Sequence, residues 1–257
     1  MTAEELINAL NILAPPSYAM EWDNPGLLVG DKTHKVDSVY LALDASGPVI
    51  EKAGACDMLI THHPMIFSAI KSVQADDFIG KRIIRLIKTD TVYFAMHTNF
   101  DCAVMGRIVS EKLGISSDQV LEEIEGAPPL TGIGCAGNLK EKMTLRDLAA
   151  FVRKSFCLPP VRYYGDPDLV ISRAALCPGS GKSETGSALR SGAQVYITGD
   201  VDHHFGIDCV EKGIAVIDAG HHGLEHIFVD FMARWFEENY PDVRVVRDNN
   251  SSPFQTI

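Results

Sequence analysis

Short apolar runs rich in β-branched and aromatic residues recur along the chain, separated by stretches with the period of a helix. "SVYLALD" (38–44), "DMLIT" (57–61), "TVYFAMH" (91–97), "AQVYITGD" (193–200) and "IAVIDAG" (214–220) have the length and composition of buried strands. Between them, residues 76–88, 108–113, 144–156 and 225–240 read as helices with one apolar face. Strand, helix, strand at this spacing predicts βαβ units and largely parallel sheets, so the fold class is α/β. "VRVVRD" (243–248) offers a last strand.

The middle of the chain, "EEIEGAPPLTGIGCAGNLKEK" (122–142), is rich in Gly, Pro and acid and sustains neither period. It predicts a junction at Pro128 and Pro129 between two α/β lobes, residues 1–127 and 128–257, with C-terminal elements able to return to the first lobe. At the start of the chain, Thr2 and Glu5 have the spacing of a helix capping box. No basic, apolar leader is visible there, and no uncharged apolar run approaches the ~18 residues needed to span a bilayer. A soluble, cytoplasmic protein is expected.

Composition narrows the function classes. With 257 residues and 46% hydrophobic content the chain can bury a sizeable core. Lys and Arg number 23 against 34 Asp and Glu, a net charge of −11, so no general affinity for nucleic acid or anionic lipid is expected. Six scattered cysteines without a C-x-x-C pair read as reduced, mostly buried thiols rather than zinc ligands.

The chemistry lies in the histidines. Eight of nine fall in four tight groups: His62 and His63; His97; His203 and His204; His221, His222 and His226. Each group sits at or just beyond the carboxyl end of a predicted strand, the edge where parallel α/β sheets build their sites. Imidazole with carboxylate suits Zn, Mn, Fe or Ni. Asp101 follows His97 by four residues and Glu225 follows His221 by four, so a helical turn would put each pair on one face. A carboxylate can bridge two cations, and two carboxylates with three or more imidazoles can hold a metal pair. The His-x-x-x-Asp and His-x-x-x-Glu arrangements also form a faint internal echo between the two halves.

Two shorter patterns compete. "HGLEH" (222–226) satisfies H-x-x-E-H, with His222 and His226 as ligands and Glu225 as base, but few residues follow to supply a further ligand. "PGSGKS" (178–183) is not a Walker A loop, because Leu176 stands where its first glycine is needed; it is a tight turn or a simple anion site.

Six ordered motifs, "EWDNPGLLVGD" (21–31), "ALD" (42–44), "THHPMIF" (61–67), "HTNFD" (97–101), "TGD" (198–200) and "DAGHHGLE" (218–225), together resemble the dinuclear-metal, toroid-forming proteins related to NGG-one-interacting factor three, also known as type 2 GTP cyclohydrolase I homologs. The resemblance implies two related α/β lobes with a dinuclear metal site between them, and a hexameric ring. By motif it makes His62, His63, Asp101, His221 and Glu225 the ligands of two divalent transition-metal ions (Zn, Fe, Mn or Ni), with Asp101 as the bridge. His97 and His204 match positions that face the same cavity and become proton-transfer candidates. Met105 stands where many relatives carry glycine, and the inserted middle domain of longer relatives is absent.

The expected function is that of a metal-dependent hydrolase or cyclohydrolase using a metal-bridging hydroxide on an unknown small-molecule substrate. The alternatives are a non-catalytic protein that stores, delivers or senses metal, and an oligomeric scaffold. A structural metal would be expected to close its coordination shell, so the excess of unassigned histidines favours a reactive centre.

Overall fold

The computed structural model describes residues 1–249, 253 and 254. In chain order the described strands are β1 (Gly26–Val29), β2 (Ser38–Ala42), β3 (Met58–Thr61), β4 (Val92–Ala95), β5 (Ile115–Glu123), β6 (Gly132–Thr144), β7 (Arg162–Tyr164), β8 (Val170–Leu176), β9 (Val195–Thr198), β10 (Ala215–Asp218) and β11 (Arg244–Arg247). They fall into two compact α/β units. One holds Met1–Phe100 and the segment that begins at Phe228; the other holds Asp101–Ile227.

The first unit is built on a five-stranded sheet of order β1-β4-β3-β2-β11. All of its pairings are parallel except that of edge strand β1 with β4. Strands β2, β3 and β4 are buried at every position, as a parallel sheet covered on both faces requires. One face packs Tyr40, Leu59 and Tyr93 against Val49, Ile50 and Leu86, the last three from helices Gly47–Ala53 and Phe78–Lys88. The N-terminal helix Ala3–Leu13 is closed by the expected capping box: Thr2 Oγ1 accepts from Glu5 N at 3.2 Å while Glu5 Oε2 accepts from Thr2 N at 2.8 Å. The returning strand β11 is fastened at its end, where Asp248 accepts from the buried Tyr40 hydroxyl at 2.7 Å and from Lys52 at 3.1 Å.

The second unit has a six-stranded sheet of order β5-β6-β8-β9-β10-β7. Its centre, β8-β9-β10, is parallel, and the flanking pairs are antiparallel. Leu121, Ala175, Tyr196 and Val216 lie in its core.

Here the structure departs from the expected lobe junction. Pro128 and Pro129 lie in the short connection of a long β5–β6 hairpin, closed by Ile124 N donating to Thr131 O and Thr131 N to Pro128 O, each at 3.2 Å. The change of unit falls instead at Phe100/Asp101 and again at Ile227/Phe228. The strand pattern of β6 is hidden because Gly132 and Gly137 replace side chains that would run into the carbonyl oxygens of Glu122 and Ser116 on β5. Bulges in both strands break the period-2 alternation further.

Five of the six cysteines are buried, and Cys157 is exposed. Among the described residues, no helix is long and apolar enough to cross a membrane.

Candidate metal centre

In the first unit the carboxyl ends of two neighbouring parallel strands bring three imidazoles together. Thr61 of β3 is in register with Ala95 of β4, so the residues just beyond, His62 and His63 on one strand and His97 on the other, emerge side by side. Their ring centroids are 4.9 Å (His62–His63), 5.3 Å (His62–His97) and 5.5 Å (His63–His97) apart. One nitrogen from each lies within 4.8 Å of the others, a spacing that could hold a metal ion.

The turn after His63 is built to keep that arrangement. The Thr61 and Tyr93 hydroxyls both donate to His63 O, at 2.8 and 3.1 Å, and Tyr93 Oη accepts from Met65 N at 2.8 Å. Burial pushes the Tyr93 hydroxyl up to about 12, so it stays protonated as a donor. Pro64, which has no N–H to satisfy, ends the strand at no cost in hydrogen bonding.

Each imidazole is oriented through Nδ1. His62 Nδ1 bonds Met96 O at 2.8 Å, His63 Nδ1 bonds Asp44 Oδ1 at 2.7 Å, and His97 Nδ1 bonds Asp23 Oδ1 at 2.7 Å. With an oxygen acceptor opposite, Nδ1 carries the proton and Nε2 is the basic nitrogen, the arrangement that metal-binding histidines adopt. Asp23 is further held by Thr98, whose N and Oγ1 donate to Oδ2 at 3.0 and 2.5 Å. Burial raises the Asp23 carboxyl, but the hydrogen bonds from His97 and Thr98 outweigh it and leave its pKa at about 2. His62 is fully buried and packs on Phe228, with ring centroids 5.3 Å apart.

The second unit repeats the device. Thr198 of β9 is in register with Asp218 of β10, and beyond them come Asp200 and His221. Gly220, at φ +77°, turns the chain into the short helix His221–Glu225. That turn puts His221 and Glu225 on one face, as expected: Nε2 lies 2.9 Å from Glu225 Oε2, while Nδ1 bonds Asp200 Oδ2 at 2.8 Å. Gly179, at φ +74°, faces this carboxylate, and a Cβ there would run into Glu225 Oε1.

Asp101 opens a π-helical turn, Asp101–Met105. Carboxylate oxygens of Asp101 and Glu225 lie within 4.8 Å of each other in the second unit; burial first, and then the charge of Asp101 with lesser contributions from Glu184 and Glu225, pushes the buried Cys177 thiol far up. Met105 has right-handed helical backbone, φ −57°, so a glycine is not needed there.

The remaining histidines are arranged differently. His203 and His204 are exposed at the start of helix His203–Glu211, and no His/carboxylate cluster among the described residues includes them. His222 and His226 pack with ring centroids 5.2 Å apart and planes inclined at 37°, and join no such cluster either, while Glu225 of "HGLEH" turns to His221. Within "PGSGKS" the Gly181 peptide groups are occupied internally: Gly181 O accepts from Tyr196 Oη at 2.7 Å and Gly181 N donates to Thr198 Oγ1 at 3.0 Å.

Three residues escape a reading confined to histidines and the carboxylates four places after them: Asp23, Asp44 and Asp200. Their signal lies in "EWDNPG", "ALD" and "TGD", each of which carries one aspartate. Each aspartate orients one imidazole through Nδ1.

Comparison with known proteins is consistent along the whole chain. The profile of the family Duf34/NIF3 (NGG1p interacting factor 3) matches residues 1–253. A Clostridium acetobutylicum protein named GTP cyclohydrolase 1 type 2 homolog is 34% identical over 264 aligned residues, covering 99% of this chain and 98% of the relative. The crystal structure of a Staphylococcus aureus hypothetical protein superposes with a TM-score of 0.87 at 28% identity, covering 100% of this chain and 99% of that one. A Bacillus cereus protein related to NIF3 shares the fold, with a TM-score of 0.88 at 22% identity over 100% and 99% of the two chains.

Proposed function

This chain belongs to the Duf34/NIF3 family, and from that premise we propose that it is a metal-dependent hydrolase or cyclohydrolase carrying two divalent transition-metal ions on His62, His63, Asp101, His221 and Glu225. The observation that carries the reading is the shared orientation of the imidazoles. His62, His63 and His221 each commit Nδ1 to an oxygen acceptor, so each presents Nε2 as the coordinating atom. Asp101 would be the carboxylate shared between the ions, and Glu225 would supply a second carboxylate. The donor set of imidazole and carboxylate fits Zn, Fe, Mn or Ni.

When bound, such ions supply Lewis acidity towards water and towards the scissile group. The chain's own contribution is positional. Asp44, Met96 O and Asp200 fix the ring planes of the ligands. Asp23, ionised at neutral pH, keeps the His97 Nδ1 proton in place, so that His97 Nε2 can take up and return a proton during turnover. His204 is a second proton carrier, placed on an exposed helix start. The name GTP cyclohydrolase 1 type 2 homolog borne by the relatives favours cyclohydrolase chemistry, and the motif resemblance implies a ring-shaped hexamer.

The test is metal content per chain on untagged protein purified without added metal, followed by a hydrolysis panel on the same sample. Two ions per chain with turnover are expected. Two ions without turnover on any C–N, C–O or P–O substrate would favour metal storage or delivery, and one ion or fewer at saturating metal would refute the dinuclear assignment. Light scattering that finds a stable single chain would remove the hexamer.

A further inference from the structure

The donor set leaves two large aromatic side chains beside it unexplained. Trp22 is 60% exposed and Phe67 is 50% exposed, although a tryptophan ordinarily hides most of its surface. Neither sits on slack backbone. Asp23, next in sequence to Trp22, is held by His97 and Thr98, and Met20 N donates to Thr98 Oγ1 at 3.0 Å. Asn24 Nδ2 donates to Ile66 O at 2.6 Å, which ties the segment carrying Trp22 to the one carrying Phe67. The backbone is pinned while half or more of each residue's surface stays exposed.

The rings surround His97. Trp22 and Phe67 have centroids 5.8 Å apart and planes inclined at 49°. Each meets the His97 imidazole edge-on, at 6.1 and 6.4 Å. A third ring sandwiched between two parallel ones needs about 7 Å of separation, twice a carbon contact distance of ~3.5 Å. The observed spacing and tilt exclude a sandwich. With Trp22 60% exposed, a planar ring can reach the indole from solvent, with Phe67 beside it.

We infer that Trp22 and Phe67 form a stacking platform that holds a planar aromatic or heteroaromatic ring of the substrate beside His97. Such stacking tolerates many ring types, because every such ring has a π-face, so the platform selects a class of substrate rather than one compound. The inference deepens the hydrolase reading and rests on it, since it makes the His62–His63–His97 cluster the place where that ring is presented.

The chain has two tryptophans, so Trp235→Phe leaves Trp22 as the sole indole emitter. This variant is titrated with guanosine, cytidine and pterin, and with ribose as the probe without an aromatic ring, while metal is counted on the same samples. At least one planar probe should quench saturably and ribose should not. Adding Phe67→Ala should weaken that binding about ten-fold. By equilibrium dialysis, Trp22→Ala should lose it and Trp22→Phe should retain most of it. The platform is overturned if no planar probe quenches, or if ribose quenches equally. It is also overturned if Trp22 emission is blue-shifted and inaccessible to iodide, which would mean that a second copy of the chain covers it. Two ions per chain without quenching reject the platform alone; quenching in a chain that binds no metal rejects the metal assignment alone.

Discussion

Asp44 Oδ1 and His63 Nδ1 lie 2.7 Å apart, so a carboxylate just beyond the end of β2 holds an imidazole just beyond the end of β3. The aspartate sets the tautomer and plane of the imidazole, so its loss should be felt as metal affinity rather than as folding. Asp44→Asn is expected to lower affinity about 10–100-fold, with an unchanged far-ultraviolet spectrum. Competition against a chromophoric chelator measures it.

Asp101 should matter more than any single histidine. It is the ligand proposed to be shared, and replacing it with Ala removes the negative charge that offsets repulsion between two cations. Asp101→Ala should lose both ions, whereas His62→Ala should keep at least one. Elemental analysis of the two purified variants decides; two ions retained by Asp101→Ala would move the bridging role to another carboxylate.

Gly179 is a sharper probe of the second unit. Its left-handed backbone costs a side-chain-bearing residue about 1–2 kcal/mol, and a Cβ there would displace the Glu225 carboxylate. Gly179→Ala should lower stability by about that amount and weaken metal binding as well. Urea denaturation of apoprotein and metal titration separate the two effects. Gly192→Ala, also at φ +74° but with nothing within 4 Å of its Cβ, should show only the stability loss.

Asp57 makes a pH-dependent contribution to stability and is not one of the proposed metal ligands. Burial raises its carboxyl, but hydrogen bonds from the Ser38 side chain and from the backbone N–H groups of Asp37 and Ser38 outweigh that and hold its pKa below the ordinary 3.8. A carboxyl depressed in the native state contributes stability that is complete above the unfolded value and is lost as pH falls through the native one. Asp57→Asn should therefore be less stable than the parent at pH 7, with the gap closing below about pH 4. Denaturant midpoints of both proteins at a series of pH values test the sign.

Much of the fold is legible in the sequence alone. The strands 38–44, 57–61, 91–97, 193–200 and 214–220 were readable because parallel strands buried on both faces become continuous apolar runs. His221 and Glu225 were readable as a pair because a helical turn fixes what lies four residues apart. What local pattern could not convey was pairing across distance. The β5–β6 hairpin was hidden because Gly132 and Gly137 answer to the backbone of the neighbouring strand, not to their own sequence neighbours. The change of unit at Phe100/Asp101 was hidden because chain continuity through "HTNFD" says nothing of packing. Above all, the partners of the imidazoles depend on register. Asp23 reaches His97 across 74 residues and Asp44 reaches His63 across 19. Residue types alone suggest imidazole and carboxylate donors; which nitrogen of each histidine is left facing the cluster is decided only when the ends of adjacent parallel strands bring a distant oxygen acceptor to the other side of the ring.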